Sequence, residues 1–377
     1  MNVLIGIPCL LTGGTEIQTL SLAQALIAAG HNVTVACYFE YDDAMAERYR
    51  HAGTRVRLLS PYGKRPSGIR KTALHLWKGL RATVKATKPD IVHVQYMAPG
   101  ALTILILKAL GVKKIIATTH TAGDIYSPNG IKLIRFLTDH CLSGFQCITQ
   151  LAEKSYFGDS KLFDGTPSKH FTIYNNIPSH ISLLTEPRKA KASGEPITIG
   201  VVSRLEHIKG MDLVVPAFAK AASQDSRLRL LVVGDGTQRQ LMERQAKEMG
   251  IEGKVEFAGR QPQNKLQAYY DAIDLLLMPS RSEGFGLTAV EGMARGCVPV
   301  VADTGGLPEV LGDSGCGCLH RPEDADDMAA KILAATADLN RMSTASIRRA
   351  ADFSYEKYRQ QIAELYSRLD SAKICRL

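Results

Sequence analysis

Two doubly wound α/β domains with parallel sheets are the fold class this sequence predicts, on three observations. Short β-branched runs alternate with longer helical patterns along the whole chain, which is the mark of βαβ units. The alternation stops only once, over residues 182–196 (SLLTEPRKAKASGEP), where two prolines and no periodicity read as a linker, and then it restarts. A length of 377 residues suits two to three domains at about 150 residues each.

The elements follow in order. In a first domain, 1–181, strands are expected at 3–7, 32–37, 56–59, 91–94, 115–119 and 145–149, with helices such as 16–29 and 99–110 between them. After the linker, a second domain over 197–342 repeats the pattern with strands at 197–202, 228–233, 255–258, 275–278 and 298–301. The tail, 343–377, is amphipathic and helical from about 343 to 369, and is expected to return toward the first domain. In open parallel sheets ligands bind beyond the carboxyl ends of the strands, so a cleft is expected where the two sheets' carboxyl ends face each other.

Composition narrows the class. Apolar residues make up 45% and charged residues 22%, which argues against disorder, collagen and a transmembrane bundle. The N-terminus, MNVLIGI, lacks the basic start of a secretory signal and reads as a buried strand. The apolar stretch 101–111 has 11 residues and contains Lys108, short of the roughly 20 needed to span a bilayer. Eight scattered cysteines, the nearest pair being Cys316 and Cys318, show no metal-ligand spacing and suggest free thiols in a reducing compartment. The expectation is a cytoplasmic protein, able to touch the inner face of the cytoplasmic membrane.

The net charge is +9, and it is unevenly placed. Residues 1–195 carry 23 basic and 13 acidic side chains (+10), whereas residues 196–377 carry 23 and 24 (−1). The first half therefore either meets an anionic partner or simply displays solubilising cations. Within it, residues 64–88 hold eight basic side chains, no acidic ones and the single tryptophan, Trp77. Leu74, Trp77, Leu80 and Val84 recur near helical spacing, with Arg70, Lys71, Lys78, Arg81 and Lys85 around them. That composition suits an interfacial helix on anionic lipid; the alternative is an apolar stripe packed on the sheet with solvated cations. Nucleic acid is disfavoured, because no binding module is present and aromatic residues total 6%.

The segment richest in chemistry is 280–294, SRSEGFGLTAVEGMA, which follows the strand 275–278 and runs into a helix expected to start near Gly286. A strand, a glycine-rich turn and a helix N-terminus together offer free N–H groups to a phosphate. Glu283 and Glu291 bracket that turn, eight residues apart, or roughly 12 Å at helical rise. Arg204 and Lys209 follow the strand 197–202 and can converge on one diphosphate. Gly234 and Asp235 close the strand 228–233, and Ala302 to Glu309 repeats the glycine-bearing arrangement after 298–301. A nucleotide-sugar site fits this set.

These motifs resemble the family 4 retaining glycosyltransferases, of GT-B architecture: two Rossmann-like domains facing a deep cleft. The family's Glu-x7-Glu motif matches Glu283 to Glu291, and its Arg and Lys pair matches Arg204 and Lys209. Gly13, Gly14 and Glu16, His120 in TTHTAGD, the segment 175–178 and the closing FSYEKYRQQIAELY match as well. The resemblance implies that Arg204 and Lys209 hold the diphosphate, Glu283 the hexose and Glu291 the ribose. It further implies that Gly284, Phe285, Gly286, Leu287 and Thr288 cradle the sugar and distal phosphate, and that Gly14 admits the diphosphate while His120 faces the anomeric centre. Arg260, in the loop after 255–258, is among the residues expected to set donor choice. No metal and no cofactor are implied. The expected reaction moves a hexose from a UDP- or GDP-linked donor to a glycan or lipid-linked acceptor with retention, in polysaccharide, lipopolysaccharide or glycoconjugate synthesis. A nucleotide-sugar epimerase and a non-catalytic nucleotide-sugar-binding homologue are the alternatives, and a phosphorylase lacks a signal for its cofactor lysine.

Overall fold

Parallel strands need a crossover long enough for a helix, and parallel pairing joins every strand pair in the two sheets of the computed structural model, which describes residues 1–96, 99–166, 168–192 and 194–371. The chain forms two compact units, one made of residues 1–175 with those from 355 onward, the other of residues 176–354.

The first unit runs β1 (Asn2–Ile7), α1 (Gly14–Ala28), β2 (Asn32–Cys37), α2 (Asp43–His51), β3 (Arg55–Leu58), α3 (Ile69–Thr87), β4 (Ile91–Tyr96), α4 (Gly100–Ala109), β5 (Ile115–Thr119), α5 (Pro128–His140), β6 (Gly144–Cys147), α6 (Gln150–Phe157) and β7 (His170–Thr172). Its sheet order is β3-β2-β1-β4-β5-β6-β7. Side chains alternate across a strand, so Val3, Ile5 and Ile7 pack with α1 and α2, while Leu4 joins Leu76 and Leu80 of α3, Leu107 of α4 and Leu137 of α5 on the other face.

The second unit runs β8 (Ile197–Val202), α7 (Met211–Gln224), β9 (Leu228–Val233), α8 (Arg239–Glu248), β10 (Val255–Gly259), α9 (Gln263–Ala272), β11 (Leu275–Met278), α10 (Leu287–Ala294), β12 (Val298–Ala302), α11 (Leu307–Leu311), β13 (Cys318–His320), α12 (Ala325–Ala337) and α13 (Leu339–Ala350). Its sheet order is β10-β9-β8-β11-β12-β13. The order reverses between β8 and β11, which makes their carboxyl ends the switch point where ligands bind in such sheets.

Three expectations change. The segment 182–196 is part of the second unit: Leu184 N–H donates to Ala294 O, the Arg188 guanidinium donates to Ile273 O and Tyr270 O, and Lys191 pairs with Asp274 at 2.6 Å. The chain passes between units at 175–176 and 354–355 instead. The tail is two helices rather than one. Helix α13 stays with the second unit, Phe353 is buried edge-on against Phe285, and α14 (Tyr355–Ser371) belongs to the first, burying Tyr358, Ile362, Leu365 and Tyr366 among residues of β1, β2, α1 and α2. Residues 372–377 of the expected tail helix lie outside the described residues.

Helix α3 also turns differently from the expected stripe. Leu76, Leu80 and Thr83 are buried, whereas Leu74 is 54% and Trp77 37% exposed, as are Ile69 at its start (79%) and Tyr62 before it (84%). Arg70, Leu74, Trp77 and Arg81 thus share an outward line at helical spacing. Among the described residues no helix is long and apolar enough to cross a membrane, and Cys9, Cys37, Cys141, Cys147, Cys297, Cys316 and Cys318 are free thiols.

Candidate active site

In the second unit, the turns after β8, β9, β10, β11 and β12 all emerge at one sheet edge, because the strands are parallel. Arg204 follows β8 and is exposed; its guanidinium makes no hydrogen bond or ion pair among the described residues. Lys209 ends a short 3-10 turn (His207–Lys209) just before α7. A cation at a helix start opposes the dipole, and here the Glu283 carboxylate offsets it, with Oε2 2.8 Å from the Lys209 Nζ. The two predicted residues from neighbouring turns are therefore in direct contact.

The turns are tied together by Arg281. Its guanidinium forks onto Asp212 in the first turn of α7, at 2.7 and 2.9 Å, and reaches Glu323 at 2.6 Å, while its backbone N–H donates to Ile208 O at 3.0 Å. That fork holds the Asp212 carboxyl below the usual carboxylate range. The Glu283 turn is pinned from its other side: Gly306 N–H donates to Glu283 O at 3.1 Å, and a Cβ on Gly305 (φ +53°) would lie 1.9 Å from that same oxygen. Gly234, expected at the donor, has a similar local reason to be glycine. Its φ is +136°, and a Cβ there would meet Ser203 O at 1.8 Å, under the turn that carries Arg204. Asp235 accepts from Gly236 N–H at 2.8 Å and lies 3.6 Å from Arg239.

Helix α10 begins at Leu287, one residue after Gly286, and Gly284 and Thr288 flank its N-terminus. Phe285 is buried against Phe353 and so anchors the turn. Glu291, one turn into the helix, is only 6% exposed. Its Oε2 accepts from the Tyr270 hydroxyl at 2.6 Å, and its Oε1 lies 3.5 Å from His180 Nε2. Burial pushes the Glu291 carboxyl up to about 7, against the opposing pull of the Tyr270 hydrogen bond. Arg260, beyond β10, is exposed.

Gly14 and His120 belong to the first unit. Gly14 opens α1 after β1, but the anion-seeking N-terminus of that helix already has a buried carboxylate, Glu16, in its first turn. Glu16 accepts from the Cys9 thiol at 3.3 Å, and its Oε2 would lie 2.6 Å from a Cβ on Gly13. His120 follows β5, and its Nε2 is 2.7 Å from Oε1 of the buried Gln95 on β4. Burial brings the imidazole down to about 4, so it is neutral at physiological pH.

Arg281, Asp212, Tyr270 and Gln95 carry no motif of their own. The opposite charges of Arg281 and Asp212 beside the two predicted turns are a readable signal; nothing in the spacing of α9 marks Tyr270. Among the described residues, no group of three or more His, Cys, Asp or Glu side chains is arranged to hold a metal ion.

Residues 184–352 match the family model for glycosyl transferases group 1, and residues 12–148 match that for glycosyltransferase family 4. The D-inositol 3-phosphate glycosyltransferase of Nocardia farcinica is 37% identical over 186 residues, 47% of this chain but 41% of that protein, so the chain spans less than half of it. The phosphatidylinositol N-acetylglucosaminyltransferase gpi3 subunit of Schizosaccharomyces pombe is 24% identical over 96% of this chain and 76% of its own length. The crystal structure of Anabaena HepE in complex with UDP shares the fold, with a TM-score of 0.78 and 18% identity over 97% of this chain and all of that one.

Proposed function

Because this chain belongs to the family 4 glycosyltransferases, of GT-B fold, we propose that it transfers a hexose from a UDP- or GDP-linked donor to a glycan or lipid-linked acceptor with retention of anomeric configuration. The contact between Lys209 and Glu283 at the β8/β11 switch point, with Glu291 buried one turn into α10, carries this reading. It puts a cation for the diphosphate and a carboxylate for hydroxyls side by side.

In this reading Arg204 and Lys209 bind the diphosphate and stabilise it as it departs. The N–H groups at Gly284, Phe285, Gly286, Leu287 and Thr288 hold the sugar and distal phosphate, with the α10 dipole behind them. Glu283 takes the hexose hydroxyls and exchanges its Lys209 contact for them when the diphosphate arrives, and Glu291 takes the ribose. In the first unit, His120 is neutral and held by Gln95, able to make a hydrogen bond without adding charge. The acceptor hydroxyl attacks the anomeric carbon as the bond to the phosphate oxygen breaks, and that departing oxygen takes the acceptor's proton. Side chains and a helix end neutralise the diphosphate, so the reaction runs without metal.

The acceptor is anionic or lipid-linked. Both relatives are named for phosphorylated inositols, which supports this, as does the outward face of α3, where Leu74 and Trp77 stand exposed among five cations and no acidic residue. That face rests peripherally on the inner leaflet in this reading, which places the reaction in surface polysaccharide, lipopolysaccharide or glycolipid synthesis. The test is release of nucleoside diphosphate from UDP- and GDP-linked glucose, galactose, mannose and N-acetylglucosamine in the presence of chelator and phosphatidylinositol or a membrane lipid extract. One donor is expected to turn over with an α-linked product. Turnover of none, or an isomerised sugar without transfer, counts against the proposal.

A further inference from the structure

Glu291 is held by a residue that no motif marks. Tyr270, in the last turn of α9, is fully buried, and its hydroxyl donates to Glu291 Oε2 at 2.6 Å. Burial and the adjacent carboxylate push the phenol well above its ordinary value, so it stays protonated at every working pH and always donates. His180, from the loop that begins the second unit, faces the other oxygen, Oε1, at 3.5 Å. Tyr270 and His180 are the titratable groups in contact with this carboxylate among the described residues.

A carboxylate has two oxygens and about four lone-pair positions. A vicinal diol such as the ribose 2′- and 3′-hydroxyls needs acceptors aimed at both donors at once. A freely rotating glutamate meets that need only part of the time; one pinned through a single oxygen by a rigid, buried phenol meets it continuously. We infer that Tyr270 is a positioning residue for Glu291, fixing the carboxylate plane so that the site reads the ribose diol and rejects nucleotides that lack one of its hydroxyls. The inference rests on the ribose role proposed for Glu291. A site built to hydrogen-bond a hydroxyl discriminates strongly against its absence, since the buried partner is then left unpaired.

The experiment measures binding of UDP and GDP, and of their 2′-deoxy and 3′-deoxy forms, to the full chain by calorimetry from pH 5.5 to 8.5. Wild type, Tyr270→Phe, Glu291→Ala and the double variant are compared. For whichever nucleotide wild type binds, Tyr270→Phe is expected to weaken affinity about tenfold, the worth of one hydrogen bond to a charged group, and to narrow the ribose-to-deoxyribose ratio by a similar factor. Because the Tyr270 hydrogen bond favours ionised Glu291, its loss moves the pH at which affinity rises to a higher value. In turnover, the donor KM rises more than kcat falls. In the Glu291→Ala background, where no acceptor is left for the phenol, the same substitution is expected to change nothing further, as a residue acting only through Glu291 requires. That cycle keeps the test decisive if Tyr270→Phe lowers stability. An unchanged deoxy ratio and pH profile in Tyr270→Phe, or an equal loss in both backgrounds, overturns the inference while leaving the donor reading intact. Failure of wild type to bind any nucleotide overturns the donor reading, and with it the inference.

Discussion

Replacing Glu291 with glutamine should stabilise the folded protein, and only above acidic pH. Burial lifts the Glu291 carboxyl from an ordinary 4.5 to about 7, so between those values the folded chain keeps a proton that the unfolded chain has released. Where the native state binds more protons, stability falls as pH rises. The fall begins near pH 4.5, is complete a little above pH 7, and at about 1.4 kcal/mol per pH unit amounts to about 3 kcal/mol. Glutamine keeps the shape without the titration. Urea unfolding of wild type and Glu291→Gln, followed on the second unit from pH 4.5 to 8.5, is the assay; subtracting one curve from the other cancels the titrations they share. Equal stability at pH 4.5 and a variant more stable by about 3 kcal/mol at pH 8 are expected, together with weaker nucleotide binding. A variant that is less stable at pH 8, or a difference that does not change with pH, refutes the reasoning. The combination is what a binding site held at the expense of stability should show.

Lys209→Ala and Arg204→Ala are each expected to lower transfer by about 10² to 10³, the usual cost of one preorganised group at a developing charge; full activity in either variant removes leaving-group stabilisation from the mechanism. Gly305→Ala is expected to cost about 2 kcal/mol or more and to abolish transfer, because its Cβ would displace the Glu283 carbonyl 1.9 Å away, and an unchanged melting temperature contradicts that. Sedimentation with anionic liposomes is expected to be salt-sensitive, to weaken roughly thirtyfold when Lys78 and Arg81 both become glutamine, at about 1 kcal/mol each, and to weaken again with Trp77→Ala; binding that ignores salt and these changes leaves the α3 face without a membrane role.

The fold was legible where strands contain continuous apolar runs of four or more residues, as at β1, β9 and β11, because strands buried on both faces carry little else. Strands β7 and β13 have three residues each and no such run, so periodicity could not find them. The segment 182–196 lacks periodicity because Arg188 ties it down through backbone carbonyls, which leave no hydrophobic pattern. In α3 the difficulty is phase. Leu74, Trp77 and Leu80 lie within helical reach of one another, but one residue is about 100° of turn, and Leu76 with Thr83 draws the buried face away from Trp77. At the candidate site, Glu283, Glu291, Arg204 and Lys209 stand out in the sequence because they lie at fixed spacings beside strand ends and a glycine-bearing turn. Arg281 and Tyr270 act by holding other side chains, and partners brought together by tertiary packing have no sequence interval to betray them.

The central claim, that this sheet edge grips a nucleotide-sugar through its diphosphate, is tested most directly by thermal shift of the full chain against UDP, GDP and their sugars, beside Lys209→Ala. At a hundredfold excess over Kd a bound ligand contributes about 2.7 kcal/mol, which is roughly 5 to 10 °C for a domain of this size. Such a shift is expected for one nucleotide series in wild type, with its loss or near-loss in Lys209→Ala. No shift with any nucleotide, or an equal shift in both proteins, contradicts the claim.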